Sequence, residues 1–112
     1  MQGQYEIITA SGADVRFRLR SATGQVLVTS RPHASLDEAL HAVAHFKTVC
    51  VDAQRYRERP IEDNYWIFEV IASDGTALAH SVPFASEKFM RACIALTQLS
   101  GPRAKLRPVI DR

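Results

Sequence analysis

The feature that most constrains this chain is an internal similarity with a period of 51 residues. Sliding the sequence by that distance places Gly24 on Gly75 without a gap. Identical residues also coincide at Tyr5 and Tyr56, Phe17 and Phe68, Leu27 and Leu78, Ser30 and Ser81, Pro32 and Pro83, Ala34 and Ala85, Ser35 and Ser86, and Ala44 and Ala95. A fixed period of this kind indicates a repeated supersecondary unit. We therefore predict a single domain over residues 1–112, with one repeat at about residues 4–53 and a second at about residues 54–110.

The first repeat has the pattern of a β-hairpin followed by a helix. Residues 15–20 alternate apolar and charged side chains, which is typical of a half-buried strand. Gly24 supplies a turn, residues 25–29 a returning strand and residues 5–9 a preceding one. Ser35 is placed to cap a helix that runs to about residue 48. Apolar residues recur along that helix at helical spacing: Leu36, Ala39, Leu40, Val43 and Phe46.

The second repeat follows the same plan. Residues 65–72 predict a strand, residues 73–75 a turn and residues 76–81 the returning strand. Ser86 is placed to cap a second helix, which ends at Gly101. The residues predicted to face inward are Trp66, Phe68 and Val70 on the strand and Met90, Cys93, Ile94 and Thr97 on the helix.

The remaining segments complete one α+β sheet. Residues 54–57 predict a strand that serves the second repeat, and residues 59–64 predict a polar loop. Residues 104–109 predict a last edge strand, because Pro108 fits only an edge. One repeat alone would leave too little core to be stable. The fold class we predict is therefore α+β: tandem β(3)-α-β repeats that share one largely antiparallel sheet, with both helices on one face.

The pattern resembles the YegP-like family of small bacterial proteins. The resemblance is carried by residues 17–30, FRLRSATGQVLVTS, by the helix that opens at Ser35, and by the degenerate second copy over residues 68–86. Departures from the family pattern are Thr23 and Asp74 before the turn glycines, His33 at an aromatic position, and Ala42 and Cys93 at a glycine position in the helix. The resemblance implies that strands after the helices are exchanged between the copies. It implies no established activity.

Composition and local motifs exclude several classes of protein. A net charge of +2 is too small for a strong long-range field. The two cysteines form no C-x-x-C pair, and the chain has no apolar run long enough to span a bilayer. The first residues lack the basic and apolar regions of a signal peptide. We therefore expect a cytoplasmic protein with free thiols and no membrane association, and we expect no cofactor.

A row of arginines is the first candidate site. Arg16, Arg18 and Arg20 lie on the strand face that points away from the predicted core. Guanidinium groups in a row suit phosphates or an acidic partner, whereas a solvated strand face that discourages aggregation is the structural alternative. The equivalent strand of the second repeat carries Ile67, Glu69 and Ile71 on the outward side, so no basic stripe is shared.

Ile67 and Ile71 suggest an apolar outward surface. Such a face predicts a protein partner or a second copy of the chain, unless one of the termini covers it. His41 and His45 lie four residues apart on the first helix, a spacing that suits a metal, and Glu38 one turn earlier is a third candidate ligand. No H-E-x-x-H pattern surrounds them, so solvent-facing histidines are the simpler prediction. Cys50, just past a helix, is a candidate for an exposed and reactive thiol, whereas Cys93 falls on an inward helix face.

No catalytic arrangement is present in the sequence, so we do not predict an enzyme. The first hypothesis for function is a non-enzymatic interaction or structural module that uses the outward sheet face. The second is weak association with nucleic acid through Arg16, Arg18 and Arg20, although the small net charge argues against it. The third is binding of a small molecule in a cleft between the repeats.

Overall fold

A computed structural model describes residues 3–9, 14–107 and 110–111. The elements in chain order are β1 (Gln4–Thr9), β2 (Val15–Arg20), β3 (Val26–Ser30), α1 (Leu36–Val49), β4 (Tyr56–Ile61), β5 (Tyr65–Ile71), β6 (Ala77–His80), α2 (Glu87–Ser100), β7 (Lys105–Leu106) and β8 (Ile110–Asp111). The predicted α+β fold class is confirmed. Short 3₁₀ turns at Ala53–Arg55 and Glu62–Asn64 precede and follow β4.

All eight of these strands join one mixed sheet. The order across the sheet is β4-β5-β6-β3-β2-β1, with antiparallel neighbours throughout. Two antiparallel meanders therefore meet in the middle, where Thr29 lies opposite His80 and Ser30 lies opposite Ala79. Beyond β1, the short strands β7 and β8 both pair with it in parallel. The chain after α2 thus crosses to the first half, as the resemblance implied.

Both helices pack on one face of the sheet. The ring of Tyr5 on β1 packs edge-on against Phe46 of α1, with centroids 6.3 Å apart. The hydroxyl of the same tyrosine donates a hydrogen bond to the Gly101 carbonyl at the end of α2, at 2.7 Å. A single cluster of buried apolar residues fills the space between sheet and helices; its largest members are Tyr5, Phe17, Phe46, Phe68, Ile7, Leu19, Leu27 and Met90.

Equivalent backbone features occur in the two halves at the 51-residue offset. Gly24 and Gly75 both have a positive φ in the hairpin turn, 94° and 90°. The Ser30 hydroxyl accepts from the Phe17 amide at 2.9 Å, and the Ser81 hydroxyl accepts from the Phe68 amide at 3.0 Å. Each serine hydroxyl also donates to the next carbonyl in the chain, at 2.8 Å. Both serines thus hold the end of a strand in the same way in the two halves.

The C-terminal ends of α1 and α2 meet under the sheet. The Tyr56 hydroxyl donates to the Cys50 carbonyl at 2.7 Å, in the same way that Tyr5 donates to Gly101. A methyl group built on Gly101 would clash with the Cys50 sulfur and would lie 2.8 Å from the Thr97 carbonyl oxygen, although the φ of Gly101 is an ordinary −53°. Glycine is required there by the close approach of the two helix ends.

Several local predictions are corrected by the structure. Residues 59–61, predicted as loop, belong to β4, which pairs with β5 along its whole length from Tyr56 to Ile61. Leu36, predicted to face the core, is exposed because it occupies the first helical position, before the face that packs on the sheet. Cys50 is fully buried and not exposed. Residues 108–109, part of the predicted last strand, lie outside the described residues.

Candidate interaction surface on the sheet

The face of the sheet opposite the helices, here named the open face, carries a row of polar side chains. Directly opposed residues on neighbouring strands point to the same side of a sheet. The strand register therefore places six residues in one line across the open face: Arg57, Glu69, His80, Thr29, Arg18 and Glu6. The predicted outward position of Arg16, Arg18 and Arg20 agrees with the alternating burial along β2.

Glu6 organises the arginine row at the β1 side of the open face. Its side chain is almost completely buried, and Oε1 accepts hydrogen bonds from Arg18 Nε at 3.0 Å, Arg18 Nη2 at 2.9 Å and Arg20 Nε at 2.8 Å. Burial acts to raise the pKa of Glu6, but the hydrogen bonds and charges of Arg20 and Arg18 together lower that pKa below its ordinary value. Two guanidinium groups thus share one carboxylate, which leaves a positive charge.

The other arginines of the open face are held less tightly. Arg16 donates to the Ser30 carbonyl at 3.3 Å, and Arg20 also donates to the Gly24 carbonyl at 2.7 Å. Arg59 on β4 lies 3.8 Å from a Glu69 carboxylate oxygen and remains more than half exposed. Arg57 on the same strand is exposed. Arg16, Arg57 and Arg59 can therefore contact a partner without the breaking of a buried ion pair.

Isoleucines lie between these charged groups. The register places Ile67 and Ile71 on the open face with Glu69, and Ile8 opposite Arg16. All three isoleucines are half-buried by their neighbours within the sheet. Ile67 and Ile71 are therefore outward-facing, as predicted, but they form a mixed surface with the arginines and no continuous apolar patch.

The open face concentrates positive charge. On β1, β2, β4 and β5 it carries five arginines and two glutamates, a surplus of three positive charges, whereas the whole chain has a formal net charge of +2. The residues are Arg16, Arg18, Arg20, Arg57 and Arg59 with Glu6 and Glu69. The remainder of the molecule therefore contributes no net positive charge, and the field is local to this face.

The predicted histidine pair lies elsewhere, in a groove on the helix side. This groove, here named the α1 groove, has a volume of about 360 Å³ and is lined by Arg31, His33, Glu38, His41, Ala42, His45 and Leu78. His41 and His45 are exposed, as predicted. No group of three or more histidine, cysteine, aspartate or glutamate side chains within the described ranges is arranged to hold a metal ion.

Known proteins share this architecture. The solution NMR structure of YegP from E. coli, a protein of unknown function, matches with a TM-score of 0.90 at 20% identity, over 99% of this chain and 95% of that one. A UPF0339 protein from Shewanella oneidensis matches with a TM-score of 0.90 at 19% identity, over 99% and 93%. In sequence, a UPF0339 protein from the ptx operon 5′ region of Stutzerimonas stutzeri is 26% identical over 106 residues, which are 95% of this chain and 96% of that protein. The chain is similar to these YegP-like proteins in fold and over almost its whole length, as a divergent relative. No family model matches it.

The YegP-like fold leaves both thiols protected. Burial raises the pKa of Cys50 to about 11 and that of Cys93 to about 11. The predicted reactivity of Cys50 is therefore wrong, because the thiol fills the space beside Gly101 where the helix ends meet. Within the described residues, no helix of this YegP-like chain is long and apolar enough to cross a membrane.

Glu6 is the residue that sequence reasoning missed at the open face. The signal was present, because antiparallel pairing of residues 4–9 with residues 15–20 places Glu6 opposite Arg18. It was overlooked because a single acid in a strand is ordinarily solvated, and only the pairing register shows that two arginines converge on it. Arg57 and Arg59 were missed for a related reason, since residue 59 was placed in a loop.

Proposed function

We propose that this YegP-like chain is a non-enzymatic, cytoplasmic interaction module that binds an acidic protein through the open face. The observation that carries the proposal is the combination of a surplus of three positive charges with half-buried isoleucines on a face that neither helix covers. A protein surface of carboxylates with interspersed apolar side chains is complementary to that combination. The buried free thiols suit a reducing compartment.

Charge argues for a different protein and against a second copy of this one. Face-to-face pairing of two open faces would bring two sets of five arginines together, at an electrostatic cost that rises as water is excluded. Pairing along the sheet edge is also unfavourable. The exposed edge strand β4 contains Arg57, Glu58, Arg59 and Pro60, and charged side chains and proline discourage strand addition.

The same residues argue for a protein and against nucleic acid. Single strands are bound by stacking on exposed aromatic rings. Phe17 and Phe68 are fully buried on the opposite face, and Tyr65 at the start of β5 offers one exposed ring on the open face, whereas the stacking of successive bases needs several rings. The isoleucines of the open face have apolar counterparts on a protein and none on a phosphate backbone.

The proposal is tested with charge-reversal variants in the source cell. The variant Arg16→Glu/Arg57→Glu reverses charge at the two ends of the open face, and Lys88→Glu/Arg103→Glu makes the same change in net charge on the α2 side, at residues that are all accessible. Each chain is expressed at its endogenous level with an affinity tag. Captured proteins are identified before and after nuclease treatment, and binding is repeated with the purified partner at 50 mM and 500 mM salt.

The expected result is an acidic protein that the wild type and the α2-side variant capture equally and that the open-face variant loses at least tenfold. Its affinity should fall at high salt. Equal capture by both variants would contradict the proposal, as would bound material that disappears after nuclease treatment. The thermal midpoints of both variants are measured to show that each is folded.

A further inference from the structure

The α1 groove differs in chemistry from the equivalent surface of the second half. At the 51-residue offset, Arg31, His33, Glu38, His41 and His45 correspond to Val82, Phe84, Phe89, Ala92 and Leu96. The backbone is the same in both places, since His33 bridges to Val15 as Phe84 bridges to Trp66, each through a pair of hydrogen bonds. Five polar or charged side chains therefore stand in one half where five apolar ones stand in the other.

One polar atom in the α1 groove is left without a partner. Nε2 of His33 is buried and has no hydrogen-bond partner among the described residues, while the imidazole ring lies nearly parallel to Phe17, with an interplanar angle of 13°. A buried nitrogen of this kind is unfavourable unless a partner is supplied. An oxygen of a bound molecule would supply one after a rotation of the ring that uncovers Nε2, and Arg31 in the same groove would neutralise the charge of that molecule.

Two acidic side chains lie near the groove. Glu38 lines it with Arg31 and His33. Burial and the charge of Arg31 lower the pKa of His33, and the charge of Glu38 has a smaller effect that raises it. Oε2 of Glu38 accepts from the Ala34 amide at 3.2 Å, so one of its carboxylate oxygens is engaged at the start of α1. Asp74 lies in the β5–β6 turn toward His45. Hydrogen bonds from Thr76 hold its pKa below the usual range, and the charge of His45 adds a smaller effect in the same direction. An anion at the Arg31 end therefore has Glu38 as its acidic neighbour, and Arg31 and His33 must outweigh that charge.

We propose that the α1 groove binds a small phosphorylated molecule, with its phosphate at Arg31 and His33 and its organic part over Ala42 and Leu78. A phosphate presents three oxygens, enough to reach Arg31, His33 and His41 together. The volume of about 360 Å³ also leaves room for an organic group of modest size over the apolar floor. This site is separate from the open face and does not depend on the function proposed above.

The experiment is a titration of the isotope-labelled full chain with inorganic phosphate, and separately with phenyl phosphate, at pH 6.5 and constant ionic strength. Backbone amides and histidine side-chain nitrogens are followed by NMR. The second half of the chain supplies the test variants, since Arg31→Val and His33→Phe install the residues found at the equivalent positions there. His80→Ala, on the open face, is the matched control for loss of an exposed histidine.

Saturable shifts at Arg31, His33 and His41 are expected, with millimolar affinity for inorganic phosphate and affinity at least fivefold tighter for phenyl phosphate. Arg31→Val and His33→Phe should each weaken binding at least fivefold, and His80→Ala should leave it unchanged. Shifts that fail to saturate by 50 mM would overturn the proposal. So would saturation confined to open-face arginines, or equal affinities in Arg31→Val and His80→Ala.

Discussion

The substitution Glu6→Gln tests whether one buried carboxylate holds the arginine row of the open face. It removes the negative charge of the carboxylate, whose Oε1 accepts three hydrogen bonds from Arg18 and Arg20 at 2.8 to 3.0 Å. A hydrogen bond to a charged group contributes about 1.5–3 kcal/mol. Glutamine retains one acceptor oxygen, and the two guanidinium groups remain 20% and 30% exposed, so water replaces part of the loss. We expect the free energy of unfolding to fall by about 2 kcal/mol.

Urea unfolding at pH 7 measures this loss as a decrease of about 1 M in the midpoint, for a slope of about 2 kcal/mol per molar. Glu69→Gln is the matched control, because its ion pair with Arg59 is longer, at 3.8 Å, and more exposed. It should cost about 0.5 kcal/mol or less. A cost for Glu6→Gln no larger than that of the control would refute the reasoning.

The pH dependence of the same pair of proteins gives a second readout. The pKa of Glu6 is lowered in the folded state, so its contribution is complete above the unfolded value of 4.5 and is lost as the pH falls through the folded pKa. The difference in stability between wild type and Glu6→Gln should therefore be constant near neutrality and shrink below about pH 4.5. A difference that grows on acidification would contradict the assignment.

Three further predictions concern the core. Gly101→Ala should destabilise the chain by about 2 kcal/mol in urea unfolding. Its cost should be smaller when measured in a Cys50→Ala background, because one of the two close contacts of the added methyl group is with the Cys50 sulfur and only the other, with the Thr97 carbonyl oxygen, remains. Equal costs in both backgrounds would argue against the contact with Cys50. Ser30→Ala and Ser81→Ala should each lower the free energy of unfolding by about 1–3 kcal/mol, because each leaves a buried strand amide unpaired. A loss for only one of the two variants would show that the halves are not energetically equivalent. Burial raises the pKa of Cys50 and that of Cys93 to about 11. At pH 8 a thiol reagent should therefore label both native thiols about 100-fold more slowly than the unfolded chain, from the smaller thiolate fraction alone. Rapid labelling of either native thiol would contradict its burial.

Most of the fold could be predicted because local chemistry and the 51-residue period agree. Alternation along β2, the turn glycines Gly24 and Gly75 and the caps Ser35 and Ser86 each specify an element from a few neighbouring residues. The strand β4 was cut short in the prediction because its sequence, YRERPI, is polar and contains a proline. An edge strand tolerates both, and only its pairing with β5 reveals it.

The candidate sites were less predictable because they depend on distant pairs. The convergence of Arg18 and Arg20 on Glu6 needs the register of the β1–β2 hairpin. The α1 groove needs Leu78 of the second half to lie beneath the first helix. The burial of Cys50 needs the two helix ends to meet at Gly101, a contact between residues that are far apart in the sequence. The tandem-repeat boundaries stay a prediction from the period alone.

The most direct test of the central claim is the position of a bound partner, measured by site-specific photo-crosslinking in the source cell. A photo-reactive amino acid replaces His80, at the centre of the open face, or Ala95, on the solvent side of α2. The account predicts a defined adduct with an acidic protein from position 80, absent from position 95 and abolished by Arg16→Glu/Arg57→Glu. An adduct from position 95 alone, or one at position 80 that survives those charge reversals, would contradict it.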